Sequence, residues 1–161
     1  DGRQYPPPPG TAPVPGTVLS DDQFPAGEMP LVFPEEPPTT ADTMRAYLEA
    51  GGASPSEGAV SYIDSMQALL DEWTLNGQQQ AAVLEVLLSL DGVEVAGETS
   101  DRFGRQSTAI RLRSAASPHV EYLLLIQLDT GRIGALETVY LGGLAELDLP
   151  VPSVTAYICW R

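Results

Sequence analysis

The chain has 161 residues, and its 43% of hydrophobic residues are enough for one core of ordinary size. Its 22 acidic residues against eight basic ones give a net charge of −14, which argues against nucleic acid or an anionic membrane surface as a partner. One cysteine and one histidine exclude an intrachain disulfide and a multi-histidine metal site within one chain, and no motif predicts a cofactor.

The first part of the chain is rich in proline: residues 1–38 contain eleven of the fifteen prolines. Proline removes backbone donors and fixes φ, so this density predicts an extended arm or linker, followed by a single folded domain over residues 39–161. A proline-rich ligand for an aromatic groove is a second interpretation of the arm. Because Leu31, Val32 and Phe33 are apolar, we expect the end of the arm to lie against the domain.

Three amphipathic helices are predicted after the arm, because apolar residues recur there at helical spacing. The first covers residues 41–50, and the second begins at the cap residue Ser54, has Pro55 at its first position and ends before Asn76. The third covers about residues 78–90 and is the most apolar, which places it at the centre of the packing. Its predicted inner stripe is Val83, Val86, Leu87 and Leu90.

After the third helix the apolar spacing becomes alternating, which predicts antiparallel strands that follow one another in a meander. In the first turn we expect the Asp101 side chain to accept from turn amides, Gly104 to have a positive φ, and Arg105 to pair with an acid. Glu94 is expected opposite Arg113. The sequence thus predicts an α+β domain with about three N-terminal helices packed on a C-terminal antiparallel sheet of about five strands.

The third predicted strand is apolar on both faces, which is typical of a strand that is covered on both sides. If Thr130 and Gly131 form the centre of the following turn, Leu125 lies opposite Leu136. This register predicts an apolar patch on the outer face of the sheet, the face turned away from the helices. The patch residues, which are the candidate binding residues, are Leu123, Leu125, Leu136 and Tyr140.

Three covers for this patch remain open: the arm through residues 31–33, a protein partner, or a hydrophobic ligand such as an acyl chain or an apolar peptide. A different function class is a hydrolase-like enzyme in which His119 acts with Cys159 or with a serine, although only the residue types favour it. Acidic pairs such as Asp71-Glu72 lack the spacing of a calcium loop and are expected to be solvated.

Three segments in a fixed order resemble a known family. They are the helix ADTMRAYLEAGG, the run QQQAAVLEVLLSLDGVEVAGETSDRFGR with its turn from Asp101 to Arg105, and the hairpin LDTGR around Asp129 to Arg132. The set is similar to extracytoplasmic domains of actinobacterial single-span membrane proteins, a family with no established activity whose genes often neighbour those of extracytoplasmic-function sigma factors. The resemblance implies a non-enzymatic binding or sensing domain in the cell envelope. It also implies a membrane anchor, absent from this chain, and a link to sigma-factor signalling.

Overall fold

A computed structural model describes residues 30–114, 117–144 and 149–160. Within these ranges, three α-helices precede a five-stranded antiparallel sheet, and the predicted α+β class is confirmed. The main compact unit begins at Leu31. The extended arm predicted for the first part of the chain lies, up to residue 29, outside the described residues.

The helices and strands follow each other without crossovers. The helices are α1 (Ala41–Ala50), α2 (Ala59–Glu72) and α3 (Gly77–Leu88), and a short 3₁₀ turn, Pro55–Glu57, precedes α2. The strands are β1 (Val93–Ser100), β2 (Gln106–Arg113), β3 (Val120–Gln127), β4 (Ile133–Tyr140) and β5 (Ser153–Cys159). Each strand pairs with the next one along the chain, in the order β1-β2-β3-β4-β5.

The main core lies between the helices and one face of the sheet, where side chains from all three helices meet alternate residues of the strands. In α3, three of the four predicted inner residues are buried, and Leu90 packs partly against the core just after the helix ends. Fully or almost fully buried members of this core include Met44, Leu48, Tyr62, Ile63, Met66, Leu69, Val83, Val86, Leu87, Ile110, Leu112, Leu124 and Leu136.

The boundaries of α2 and α3 differ slightly from the predicted ones because of local capping. Ser54 precedes the 3₁₀ turn, and Gly58, with φ of 71°, separates that turn from α2. Asn76, predicted only to end the second helix, also begins α3: its Oδ1 accepts from the N–H groups of Gln78 and Gln79 at 3.0 and 3.1 Å. The Gln79 side chain accepts in return from the Asn76 N–H, which completes a capping box.

The segment before α1 packs against the helices, so the alternative in which residues 31–33 cover the outer face of the sheet is wrong. Phe33 is only 2% exposed, and its ring stacks on Tyr47 of α1 with 4.9 Å between centroids. Leu31 and Val32 are exposed. The apolar ring of Phe33 therefore anchors this segment in the main core, on the side of the molecule that holds the helices.

Hydrogen bonds from the end of α2 fix the same segment. The Glu72 carboxylate accepts from the N–H groups of Val32 and Phe33, both at 2.8 Å. The Trp73 indole N–H donates to the Phe33 carbonyl at 2.7 Å. The expectation that Glu72 belongs to a solvated acidic pair is wrong, because two backbone donors occupy its carboxylate.

The register between β3 and β4 is one residue away from the predicted one. Leu125 pairs with Ala135, and Leu124 pairs with Leu136. Two features cause the difference: the turn closes on Gln127, whose N–H donates to the Arg132 carbonyl, and Gly134 is an extra, bulged residue in β4. A slip of one residue moves a side chain to the opposite face, so Leu136 belongs to the main core.

Candidate functional site

The four candidate binding residues do not form one patch. Leu123 and Leu125 lie on the outer face, whereas the register places Leu136 and Tyr140 on the opposite face. Leu125 is 2% exposed and packs in a small cluster with Ala109, Ala135, Leu123 and Cys159. The predicted contiguous patch is therefore wrong, and the reason is the Gly134 bulge described above.

Charged side chains occupy much of the remaining outer face. Glu94 pairs with Arg111 at 2.9 Å instead of with Arg113. Two changes of one residue each cause this difference: the turn brings Ser100 opposite Gln106, and a register shift lies between Val95 and Gly97. Glu121 accepts from Arg113 at 2.9 Å. A further ion pair, 2.8 Å long, joins Arg102 to Glu137. These pairs and the burial of Leu125 leave little apolar surface around the centre of this face for an acyl chain.

His119 and Cys159 lie far apart. Cys159 pairs with Ala135, which itself pairs with Leu125, whereas His119 comes just before the first residue of β3. His119 precedes Leu125 by six residues, and six residues along a strand span roughly 20 Å. The His119 Nδ1 is bonded to the Gly142 carbonyl at 2.8 Å. Burial raises the pKa of the Cys159 thiol, which disfavours the nucleophilic thiolate. A thiol–imidazole pair is therefore not formed.

A pocket of about 190 Å³ lies where the end of α2 meets one end of the sheet. We call it the tryptophan pocket, because the only two tryptophans of the chain are both in its wall. None of the sequence-predicted binding residues lines it. Its lining residues are Leu70, Trp73, Thr74, Leu75, Gln80, Arg105, Gln127, Thr130, Arg132, Ile133 and Trp160.

The Gly134 bulge organises one wall of this pocket. The Gly134 carbonyl accepts from the Trp160 N–H at 3.0 Å and from Arg105 Nη2 at 3.1 Å. The Gln127 side chain lies directly over Gly134, where an added Cβ would come within 2.7 Å of its Nε2. A side chain at position 134 would therefore displace Gln127 from the pocket wall. The bulge joins β3, β4, β5 and the first hairpin at one point.

The turn between β1 and β2 has the predicted structure. Asp101 Oδ1 accepts from the N–H groups of Phe103 and Arg105, both at 2.9 Å, and Gly104 has φ of 78°. Arg105 Nε donates to Asp101 Oδ2, which confirms the predicted ion pair. The predictions for all three turn residues are confirmed.

Arg105 also belongs to the pocket. Its Nη1 and Nη2 donate to the carbonyls of Trp160 and Gly134 at 3.3 and 3.1 Å. A guanidinium has five N–H groups, so with the Nε–Asp101 bond three are used and two are left for a ligand. The sequence identified Arg105 only as a turn residue, because its contacts with β4 and Trp160 are long-range.

The electrostatic balance at Asp101 predicts a pH dependence of stability. Burial alone raises the pKa of Asp101, but the hydrogen bonds from Arg105 and Phe103 together outweigh it, and the pKa lies below its ordinary value. Because the folded-state pKa is lowered, the stabilisation is complete above the ordinary carboxyl pKa of about 4. It is lost as the pH falls through the lower folded-state pKa.

We expect Asp101→Asn to lower the free energy of unfolding by about 1–3 kcal/mol at neutral pH, since it leaves Arg105 without its counter-charge. Urea unfolding of both proteins between pH 7 and pH 3 measures the difference. The difference should be constant down to about pH 5 and shrink below about pH 4. A difference that grows on acidification would contradict the account.

The rest of the pocket wall is fixed by side-chain hydrogen bonds. Gln80 accepts from the Ile133 N–H at 2.8 Å and donates to the Leu75 carbonyl at 3.2 Å. The Trp160 indole N–H donates to Asp71 at 3.1 Å, and the Trp73 indole N–H is bonded to Phe33 as described above. Because both indole donors already have acceptors, the tryptophans offer the pocket mainly apolar ring surface.

Arg132 lies at the mouth of the pocket, at the end of the β3–β4 turn. It is exposed, and within the ranges that the structure describes it forms no ion pair. The sequence predicted Arg132 only as part of a hairpin turn and predicted no binding role for either tryptophan. The available signal was weak: two isolated tryptophans, each at the end of a predicted element.

Comparison with protein-family models, with curated proteins and with solved structures gave no match. Among the described residues, no helix combines the length and the apolar character needed to cross a bilayer. The same part of the chain contains no group of three or more histidine, cysteine or acidic side chains placed to hold a metal ion.

Proposed function

We propose that the chain is a non-enzymatic binding or sensing domain whose ligand occupies the tryptophan pocket. The observation that carries this proposal is the wall itself, in which aromatic rings, apolar side chains and two arginines surround about 190 Å³. Ligand sites are typically concave, mostly apolar and equipped with a few fixed polar groups. The hydrogen bonds of Gln80 and Arg105 hold the wall in place before a ligand arrives.

The chemistry of the lining supports binding rather than catalysis. Among the described residues that line the pocket there is no histidine, cysteine, serine, aspartate or glutamate, so these residues supply no nucleophile with an adjacent base. The two threonines are Thr130, whose hydroxyl donates to Gln127 at 2.9 Å, and Thr74. No observation favours a hydrolase that uses His119 with a serine.

The sequence resemblance supports the biological setting of the proposal. In that setting the domain lies outside the cytoplasm and is held to the membrane by an anchor beyond this chain. Ligand binding would be reported to a sigma-factor system. The net charge of −14 and the proline-rich arm suit a soluble domain held away from an anionic membrane surface.

Tryptophan fluorescence tests the proposal directly, because every tryptophan of the chain lies in the pocket wall. The protein is titrated with a set of non-indole ring compounds that are neutral, acidic or basic. We expect at least one class to change the emission of the parent. In Thr74→Phe, whose added ring fills the pocket, the same compounds should have no effect.

Thr39→Phe is the matched control, since Thr39 is an exposed threonine before α1 and does not line the pocket. This variant should respond like the parent. Equal responses of Thr74→Phe and the parent would place binding elsewhere and refute the proposal. The absence of any response in the parent would refute it as well.

A further inference from the structure

We infer that the ligand of the tryptophan pocket is a small organic monoanion, a carboxylate attached to an apolar or aromatic body. This inference rests on the proposed function, because it names the chemical class that the same pocket accepts. Its first support is the charge of the wall. In a chain with 22 acidic and eight basic residues, the described residues that line the pocket include Arg105 and Arg132 and no acidic residue.

The local charge favours an anion with a single charge. Asp101 offsets the charge of Arg105, although two Arg105 N–H groups remain as donors. Arg132 forms no ion pair within the described part of the chain, so about one positive charge is left for a ligand. A carboxylate matches one charge and accepts two donors side by side from a guanidinium, whereas a phosphate dianion would leave charge uncompensated.

The overall negative charge of the protein does not override this local preference. At physiological salt the screening length is about 8 Å, so most surface carboxylates have little effect on a ligand at Arg132. Two acidic groups that contact the pocket wall are also engaged: Asp71 accepts from the Trp160 indole N–H, and Asp101 accepts from Arg105. A guanidinium in contact with the ligand therefore determines which charge is bound.

The remaining wall selects the body of the ligand. Trp73 and Trp160 supply ring faces, and Leu70, Leu75 and Ile133 supply aliphatic surface. A volume of about 190 Å³ is close to that of the roughly 150 Å³ apolar cavity that binds benzene in another protein, which limits the body to about one ring. Because none of the described lining residues carries a carboxylate, a free ammonium group would lack a partner among them, and a zwitterionic amino acid is disfavoured.

Two sources share this chemistry: a free aromatic or aliphatic acid, and the C-terminal residue of a peptide. Phenylacetate, phenylacetamide and phenethylamine have the same ring and differ in charge, and tryptophan emission reports their binding. N-acetylphenylalanine and its amide represent the peptide source. Tighter binding of N-acetylphenylalanine than of phenylacetate would assign the carboxylate to a peptide C-terminus, and the reverse order would assign it to a free acid.

We expect phenylacetate to bind about tenfold more tightly than phenylacetamide, since a hydrogen bond to a charged group adds that much at a partly exposed site. Phenethylamine should bind more weakly than either. Arg132→Gln should remove the preference for the acid and leave the affinity for phenylacetamide within about twofold. Arg113→Gln makes the same change of charge outside the pocket and should keep the preference.

The outcomes separate this inference from the proposed function. Equal binding of phenylacetate and phenylacetamide in the parent, lost in Thr74→Phe, would overturn the preference for an anion and leave the pocket as a binding site. An unchanged preference in Arg132→Gln would also overturn it. If none of the five compounds bound to the parent, both the inference and the proposed function would be overturned.

Discussion

Phe33→Ala should lower the free energy of unfolding by about 3–5 kcal/mol, the usual cost of emptying a buried aromatic site. The ring is 2% exposed, stacks on Tyr47 and fills the space beside Gly51, where an added Cβ would meet it at 2.2 Å. Neighbouring helices cannot collapse into the vacated volume without moving the α1 C-terminus. Urea denaturation followed by circular dichroism measures the effect.

Leu31→Ala is the control for Phe33→Ala, because Leu31 belongs to the same segment and is 56% exposed. Its free energy of unfolding should stay within about 0.5 kcal/mol of the parent. If both substitutions were equally mild, residues 31–38 would behave as part of a linker. A large effect at Phe33 alone would show that the folded domain begins before the predicted boundary at residue 39.

Leu87→Ala should destabilise the fold by about 2–5 kcal/mol, because Leu87 lies in the main core and leaves a cavity between helix and sheet. The next residue of α3 provides a matched control. Leu87 is 0% exposed and Leu88 is 47% exposed, so the same change at Leu88 should cost far less. Equal midpoints of denaturation for the two variants would show that the helix presents a different face to the sheet.

Much of the fold could be predicted from the sequence because local signals agree with the tertiary structure. The helical spacing of apolar residues located α1, α2 and α3, and the change to alternation located the strands. The turn from Asp101 to Arg105 was predicted in detail, since its interactions are local. The capping box of Asn76 and Gln79 is an equally local feature, although Asn76 was predicted only to end the second helix.

The error in register has a different origin. The spacing of Leu125 and Leu136 about the turn assumed a tight turn and a regular strand, whereas the Gly134 bulge adds one residue to β4. An isolated glycine inside a strand, such as Gly134, is only a weak signal for a bulge, because it can also mark a close approach of another backbone. The bulge is stabilised by Trp160 and Arg105, which lie far away along the chain, and long-range contacts of this kind leave no periodic pattern.

The same reason explains why the tryptophan pocket was not predicted. Its wall combines the end of α2 and the loop after it, Gln80 of α3, the first hairpin, the β3–β4 turn and the residue after β5. Apart from α2, the loop after it and the start of α3, these segments lie far from one another in the sequence. Composition indicated that the chain is acidic, but only the fold brings Arg105 and Arg132 to one site.

Chemical-shift mapping by nuclear magnetic resonance tests the central claim, that the tryptophan pocket is the binding site, most directly. Phenylacetate is added to ¹⁵N-labelled protein, and the two indole N–H signals and the backbone amides are followed. We expect the largest shifts at Trp73, Trp160 and the amides of Arg132 and Ile133, with little change at Leu123 and Leu125. Unmoved indole signals, or largest shifts around Leu123 and Leu125 on the outer face of the sheet, would contradict the account.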